Sequence, residues 1–166
     1  MKTLLIVRHA KSSWKAPRLT DHHRPLNKRG KKAAPEMGRR LKKRGVIPDA
    51  IVSSDARRAM DTAVPIAETL GLSNTAIHQE PELYHAGSDH ILDIVRQFPD
   101  QWNQVMVVGH NPGFTELANL FYPSHIANLP TAGVVELRFN ASSWKRIHRD
   151  NLAASSFDFP KNKLQG

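Results

Sequence analysis

Hydrophobic and polar positions along the chain alternate between two rhythms. Thr3 to Val7 is an unbroken apolar run of strand formers, the pattern of a strand buried on both faces of a parallel sheet. Ala10 to Leu26 is polar and carries Pro17 and Pro25, which reads as a loop over the surface. Period 3.6 then takes over: Ala33, Ala34, Met37 and Leu41 share one helical face, with Asn27 as the cap and Gly45 just past the end. Ala50–Ser53 reads as a second strand, followed by a helix capped by Ser54 or Asp55, with Ala59, Ala63, Ile66, Ala67 and Leu70 inward and Gly71 closing it. Thr75–His78 is a weak third strand. A helix opening at Ser88 or Asp89 runs through Ile91, Leu92, Val95 and Phe98, and Val105–Val108 is another fully apolar strand. A helix over Phe114–Phe121 follows. Val134–Phe139 alternates, Asn140–Ser143 reads as a turn, and Trp144–His148 as the return strand of a C-terminal hairpin.

Strands that alternate with helices require a largely parallel sheet covered on both faces. The expectation is an α/β fold: a single-domain three-layer α/β/α sandwich, mostly parallel, with a C-terminal antiparallel hairpin. The domain is expected over residues 1–152, with 153–166 as a C-terminal tail. Ligands in such folds bind beyond the carboxyl ends of the strands.

Composition narrows the chemistry. With no cysteine, disulfides, thiolate ligands and cysteine nucleophiles are excluded. The early apolar run, Leu4–Val7, is far short of the roughly 7–15 residues of a signal-peptide core or the roughly 20 of a membrane span. A soluble, cytoplasmic protein with no membrane partner is expected. Lysine and arginine outnumber acids by 24 to 15, a net charge of +9, which suits an anionic partner: nucleic acid, an acidic membrane or a phosphorylated substrate. The excess is densest from Lys28 to Arg44, where the helical pattern reads as a solvated basic face.

Three segments place cationic or imidazole groups at strand ends or on the first turn after one: Arg8-His9, Arg57-Arg58 and His110. The topology would gather them in one crevice. The remaining histidines, 22, 23, 78, 85, 90, 125 and 148, lack metal-ligand spacing, so no metal is expected. Thr131-Ala132-Gly133 reads as a plain turn, with backbone N–H groups toward the site as the alternative.

These segments carry a resemblance. Leu5-Ile6-Val7-Arg8-His9-Ala10-Lys11 resembles the N-terminal signature of the histidine phosphatase superfamily, with Ala10 in place of the motif glycine. Val52 to Ala63, with Ser53-Ser54 and Arg58-Ala59, resembles the second element, and Val107-Val108-Gly109-His110-Asn111-Pro112 the third. Lys11-Ser12-Ser13-Trp14, Asp21 and Arg24-Pro25-Leu26-Asn27 are similar to the small SixA-type branch, the phosphohistidine phosphatases. The resemblance implies a phosphoglycerate-mutase-like fold and a cofactor-free, metal-independent phosphatase. His9 would be the nucleophile, passing through a phosphohistidine intermediate, with Arg8, Arg58 and His110 around the phosphoryl oxygens.

On this reading His9 stays neutral to attack while His110 stays protonated beside the phosphoryl dianion to donate, which would give a bell-shaped rate profile. Glu82 is the candidate general acid by position, and Arg24 a candidate support of the phosphate pocket. The substrate expected is a phosphorylated protein such as a histidine-containing phosphotransfer domain, because no long insertion between Thr62 and Gly109 builds an enclosed pocket. A small phosphate ester is the alternative, and nucleic acid is set aside. Nothing in the sequence addresses the oligomeric state.

Overall fold

Leu4, Leu5, Ile6 and Val7 are all wholly buried, as an unalternated run in a central strand demands. In the computed structural model, which describes residues 1–15 and 20–162, they lie in β1 (Lys2–Arg8). The other strands are β2 (Ala50–Ser53), β3 (Ile77–Gln79), β4 (Gln104–Gly109), β5 (Val134–Phe139) and β6 (Leu152–Asp158). They form one sheet in the order β3-β2-β4-β1-β5-β6. The first four strands in that order run parallel, β5 pairs antiparallel with β1, and β6 antiparallel with β5.

Side chains alternate across β1, so each face has its own core. Leu5 and Val7 pack with Met37 and Leu41 of α1 (Lys28–Lys43) and Ala63 and Ile66 of α2 (Arg57–Thr69). Leu4 and Ile6 pack with Ile91 and Val95 of α3 (Ser88–Arg96) and Phe114 and Leu117 of α4 (Gly113–Phe121). The layers are helix, sheet and helix. Asn27 caps α1 by accepting from the Gly30 N–H at 2.9 Å. α2, by contrast, opens at Ala56 without a side-chain cap, and the Ser54 hydroxyl accepts from the Ala56 N–H one step outside the helix.

The expected hairpin is corrected in its second half. Trp144–Arg146 forms a short 3₁₀ turn, not a strand, and the return strand is β6. Trp144 is fully buried and its indole N–H donates to the Trp102 carbonyl at 2.7 Å, a tie that a strand partner of β5 does not make. The boundary expected at residue 152 therefore cuts through the start of a sheet strand, and 153–158 are no tail. Beyond β6, Arg40 donates to the carbonyls of Phe159, Pro160 and Asn162. Of the expected tail, residues 163–166 lie outside the described residues, as does the stretch of the Ala10–Leu26 loop that holds Pro17. The rest of that loop is pinned by pairing of Ser12 with Leu26, whose side chain is buried. No helix among the described residues is long and apolar enough to cross a membrane.

Candidate active site

Register decides what shares the crevice. Arg8 lies opposite Gly109 on the parallel neighbour β4, and Ser53 of β2 opposite Val108. Residues just past these ends, His9, Ser54 and His110, therefore emerge together at the carboxyl edge of the sheet. Their rings meet: the His9 and His110 centroids are 5.2 Å apart. Gly109 is needed there, because a Cβ at this position would sit 2.5 Å from the ring of Phe114.

His9 is held from both sides of its ring. Nδ1 donates to the Ala10 carbonyl at 2.7 Å, which leaves Nε2 as a lone pair, 3.3 Å from the Nε–H of Arg58 that it accepts. The Ala10 N–H donates to Thr62 Oγ1 at 2.9 Å, and the Thr62 hydroxyl donates to the Arg58 carbonyl at 2.8 Å. The methyl of Ala10 is fully buried in the core, so alanine fits where the family motif has glycine. Burial is the main force on the imidazole and takes its pKa down to about 4; the bond to Ala10 opposes that, and Arg58, Arg8 and Arg24 add to it.

Arg58 is buried, and Asp21 fixes its fork. One terminal nitrogen donates to the Asp21 carbonyl at 2.7 Å, the other to the carboxylate at 3.0 Å. The same carboxylate accepts from Arg24 Nε at 3.1 Å and from the Tyr84 hydroxyl. Burial would raise the Asp21 pKa, but the bonds from Tyr84, Arg58 and Arg24 outweigh it and hold the carboxyl well below its ordinary range. Arg24 also donates to Ser12 at 2.8 Å and stacks over Trp14 at 3.5 Å, so its contacts bind the loop to itself. Arg57 points the other way and pairs with Asp61 at 3.6 Å on the exposed side of α2. Arg8 donates to the Leu129 carbonyl at 3.0 Å and leaves its buried Nε–H without a partner among the described residues.

His110 lies within reach of Ser54. Burial, then the proximity of His9 and Arg58, take its pKa down to about 3, so the ring is neutral in the free protein and not an imidazolium. Ser54 Oγ accepts from the Ala56 N–H and lies 2.8 Å from His110 Nε2; with Nε2 accepting the hydroxyl hydrogen bond, the ring hydrogen is on Nδ1. That Nδ1 is buried and unpartnered among the described residues.

Glu82 is not brought to this cluster. Its side chain is 65% exposed and its carboxylate faces His90 at 3.6 Å. The Ala132 N–H is spent on the Arg8 and His9 carbonyls, at 3.0 and 3.1 Å, and the Gly133 N–H on Pro130, so this turn buttresses β1 and offers neither donor to the crevice. Tyr84 packs edge-on to His110 at 5.3 Å, with His85 and His22 against its own ring at 4.0 and 5.1 Å, forming an aromatic rim. The sequence pattern does not single out Tyr84, Ser54 or Thr62 as site residues. A hydroxyl one turn after Arg58 on α2 and another at the end of β2 were the available signals. Among the described residues no group of three His, Asp or Glu side chains is placed to hold a metal ion.

The crevice thus combines a neutral imidazole lone pair with the guanidinium groups of Arg8 and Arg58, two buried unpartnered nitrogens, Arg8 Nε and His110 Nδ1, and Asp21 as the contacting carboxylate. Such an arrangement can accommodate an anion beside an unprotonated imidazole nitrogen. Comparison with known proteins identifies the family. Residues 4–104 match the model of the histidine phosphatase superfamily (branch 1). An uncharacterized chloroplastic protein of Arabidopsis thaliana is 31% identical over 153 residues, covering 87% of this chain and 69% of that protein. An uncharacterized Mycobacterium tuberculosis protein is 30% identical over 93% of this chain and all of its own length. Among solved structures, an Agrobacterium tumefaciens protein described provisionally as phosphohistidine phosphatase SixA superposes with a TM-score of 0.77 at 27% identity, covering 96% of this chain and 98% of its own. The protein histidine phosphatase SixA complexed with tungstate superposes with a TM-score of 0.70 at 20% identity, covering 95% and 94%.

Proposed function

The chain belongs to the histidine phosphatase superfamily, and on that premise we propose that it is a phosphatase acting on phosphohistidine in proteins, with His9 as its nucleophile. The observation that carries the reading is the state of His9: a neutral ring with its Nδ1 proton committed to Ala10 and its Nε2 lone pair beside Arg58.

In the first step Nε2 attacks phosphorus in line. A phosphorus–nitrogen bond forms to His9 while the bond to the substrate imidazole breaks; that ring carries a proton on its other nitrogen, so the departing nitrogen keeps the electron pair and leaves as neutral imidazole. Arg8, Arg58 and the Nδ1–H of His110 meet the charge spread over the equatorial oxygens. In the second step water attacks the phosphorylated His9, releasing phosphate and restoring the lone pair. Nδ1 never loses its proton to solvent, because the Ala10 carbonyl holds it and stabilises the charge the ring gains. A phosphohistidine ring protonated on its other nitrogen brings its own proton and leaves as neutral imidazole, whereas an alkoxide needs a positioned acid. The distance of Glu82 from this cluster therefore favours phosphohistidine over a small phosphate ester.

The test is to incubate the protein with a labelled phosphodonor, quench at alkaline pH, where phosphohistidine survives, and locate the label. Label on His9, absent in His9→Ala, is the expected result. No label, together with efficient hydrolysis of a sugar phosphate and none of a phosphohistidine peptide, overturns the proposal.

A further inference from the structure

The basic segment that reads as a solvated helix face in the sequence has a specific place in the fold. A groove of about 860 Å³ runs along α1 beside the crevice, and its lining includes Lys11, Arg29, Lys31, Lys32, Arg39 and Lys161. Against these six cations stands one carboxylate, Glu36, which is already bonded to Arg39 and Arg40. None of the other five pairs with a carboxylate among the described residues. Between the cations lie the apolar surfaces of Pro35, Pro130 and Phe159.

Two features tie this groove to the crevice. Lys11 is two residues from His9, and the first turn of α1 is pressed against it: a Cβ on Gly30 would come within 2.1 Å of the Lys11 carbonyl. Thr131, on the opposite wall, adjoins Ala132, whose N–H holds the Arg8 and His9 carbonyls. The groove thus begins at residues that adjoin the crevice in the chain, next to where the flank of a phosphorylated side chain would emerge. No lining residue is buried, so this is an open surface without the convergent, fixed polar groups of a small-molecule pocket.

We propose that the groove docks an acidic segment of the phosphoprotein substrate, its carboxylates on the lysines and arginines and its apolar side chains on Pro35, Pro130 and Phe159. The inference rests on the phosphohistidine reading above and adds to it the chemistry of the flanking sequence. A patch of exposed charges acts chiefly on encounter and substrate affinity, so it should enter KM and fade with salt.

The test uses two synthetic peptides with one phosphohistidine each, flanked by glutamates in one and glutamines in the other, with phosphoramidate as a small substrate that does not reach the groove. The expected KM is about tenfold lower for the glutamate peptide at low salt, with little difference at high salt. Arg29→Glu/Lys32→Glu should abolish the preference and leave phosphoramidate turnover unchanged. The pair sits at the N-terminal end of α1, where added carboxylates favour the helix. Lys161→Glu, off that helix, should weaken the preference in the same sense.

Equal KM values for the two peptides with normal turnover of both would overturn the docking proposal and leave the phosphohistidine reading intact. Turnover of phosphoramidate but of neither peptide would overturn both. Loss of phosphoramidate turnover in the folded variants, or a mixed-sequence RNA that binds through the same residues while the peptides show no preference, would also overturn it.

Discussion

The imidazole at position 9 is engaged in opposite chemical senses by its two ring nitrogens, one donating to Ala10 and the other accepting from Arg58. Removing the ring in His9→Ala should abolish both labelling and turnover. Arg58→Lys keeps the charge but loses the fork that Asp21 holds, and kcat on a phosphohistidine peptide should fall by about 10²-fold or more, the loss typical of a transition-state donor. Ser54 acts through another residue. Ser54→Ala frees His110 Nε2, so either nitrogen can carry the proton; kcat should fall about tenfold with KM little changed, and Ser54→Thr should restore it. If Ser54→Ala instead raises KM alone, the hydroxyl does not set the tautomer. Glu82→Gln should leave peptide turnover within about threefold of the parent, since an imidazole leaving group does not call on a general acid.

Elements position these groups by pressing on one another. α1 is packed so closely on the segment after His9 that Gly30 has no room for a side chain, the obstacle being the backbone of Lys11 and not a flexible tip. Gly30→Ala should therefore destabilise the fold by about 1–3 kcal/mol and lower kcat as well, because Lys11 follows the residue that anchors His9. Gly87 is the control. Nothing lies within 4 Å of a Cβ there and its φ of −82° suits any residue, so Gly87→Ala should leave both quantities nearly unchanged, measured by urea melts and peptide turnover. At the other end of the sheet Trp144 fills the core under β5 from a 3₁₀ turn, and Trp144→Ala should cost about 3–5 kcal/mol with kcat unaffected in the folded fraction.

Across the whole molecule the crevice makes stability depend on pH. His9 and His110 have folded pKa values of about 4 and about 3, below the ordinary value of about 6.5 that they regain on unfolding. Below pH about 6.5 the unfolded chain takes up protons that the folded protein refuses, so stability declines as pH falls toward about 3. The Asp21 carboxyl, held low in the fold, adds its loss only below its unfolded value near 4. Between pH 7 and 5 the two histidines should account for up to roughly 4 kcal/mol of that decline, read from urea midpoints, and His110→Asn should flatten the slope. With both rings neutral in the free protein, the acid limb of kcat/KM, corrected for substrate ionisation, should lie near pH 4 and not near 6.5.

Sequence by itself determined the periodic parts and the gathering of charge. Short unbroken apolar runs between helical patterns read as central parallel strands, and parallel strands bring residues past their carboxyl ends to one edge, so Arg8-His9, Arg57-Arg58 and His110 are legible as neighbours from the pattern, while the choice of Arg58 over Arg57 rests on the family resemblance. β6 was not legible, because an Ala- and Ser-rich edge strand buries too little to show a pattern. Tertiary structure alone decided that Glu82 faces His90, that Asp21, bonded to Tyr84, holds Arg58, and that burial keeps the free His110 ring neutral. These are matters of distance and burial between residues far apart in the chain, and local spacing carries no information about the solvation and hydrogen-bond geometry that fix a proton.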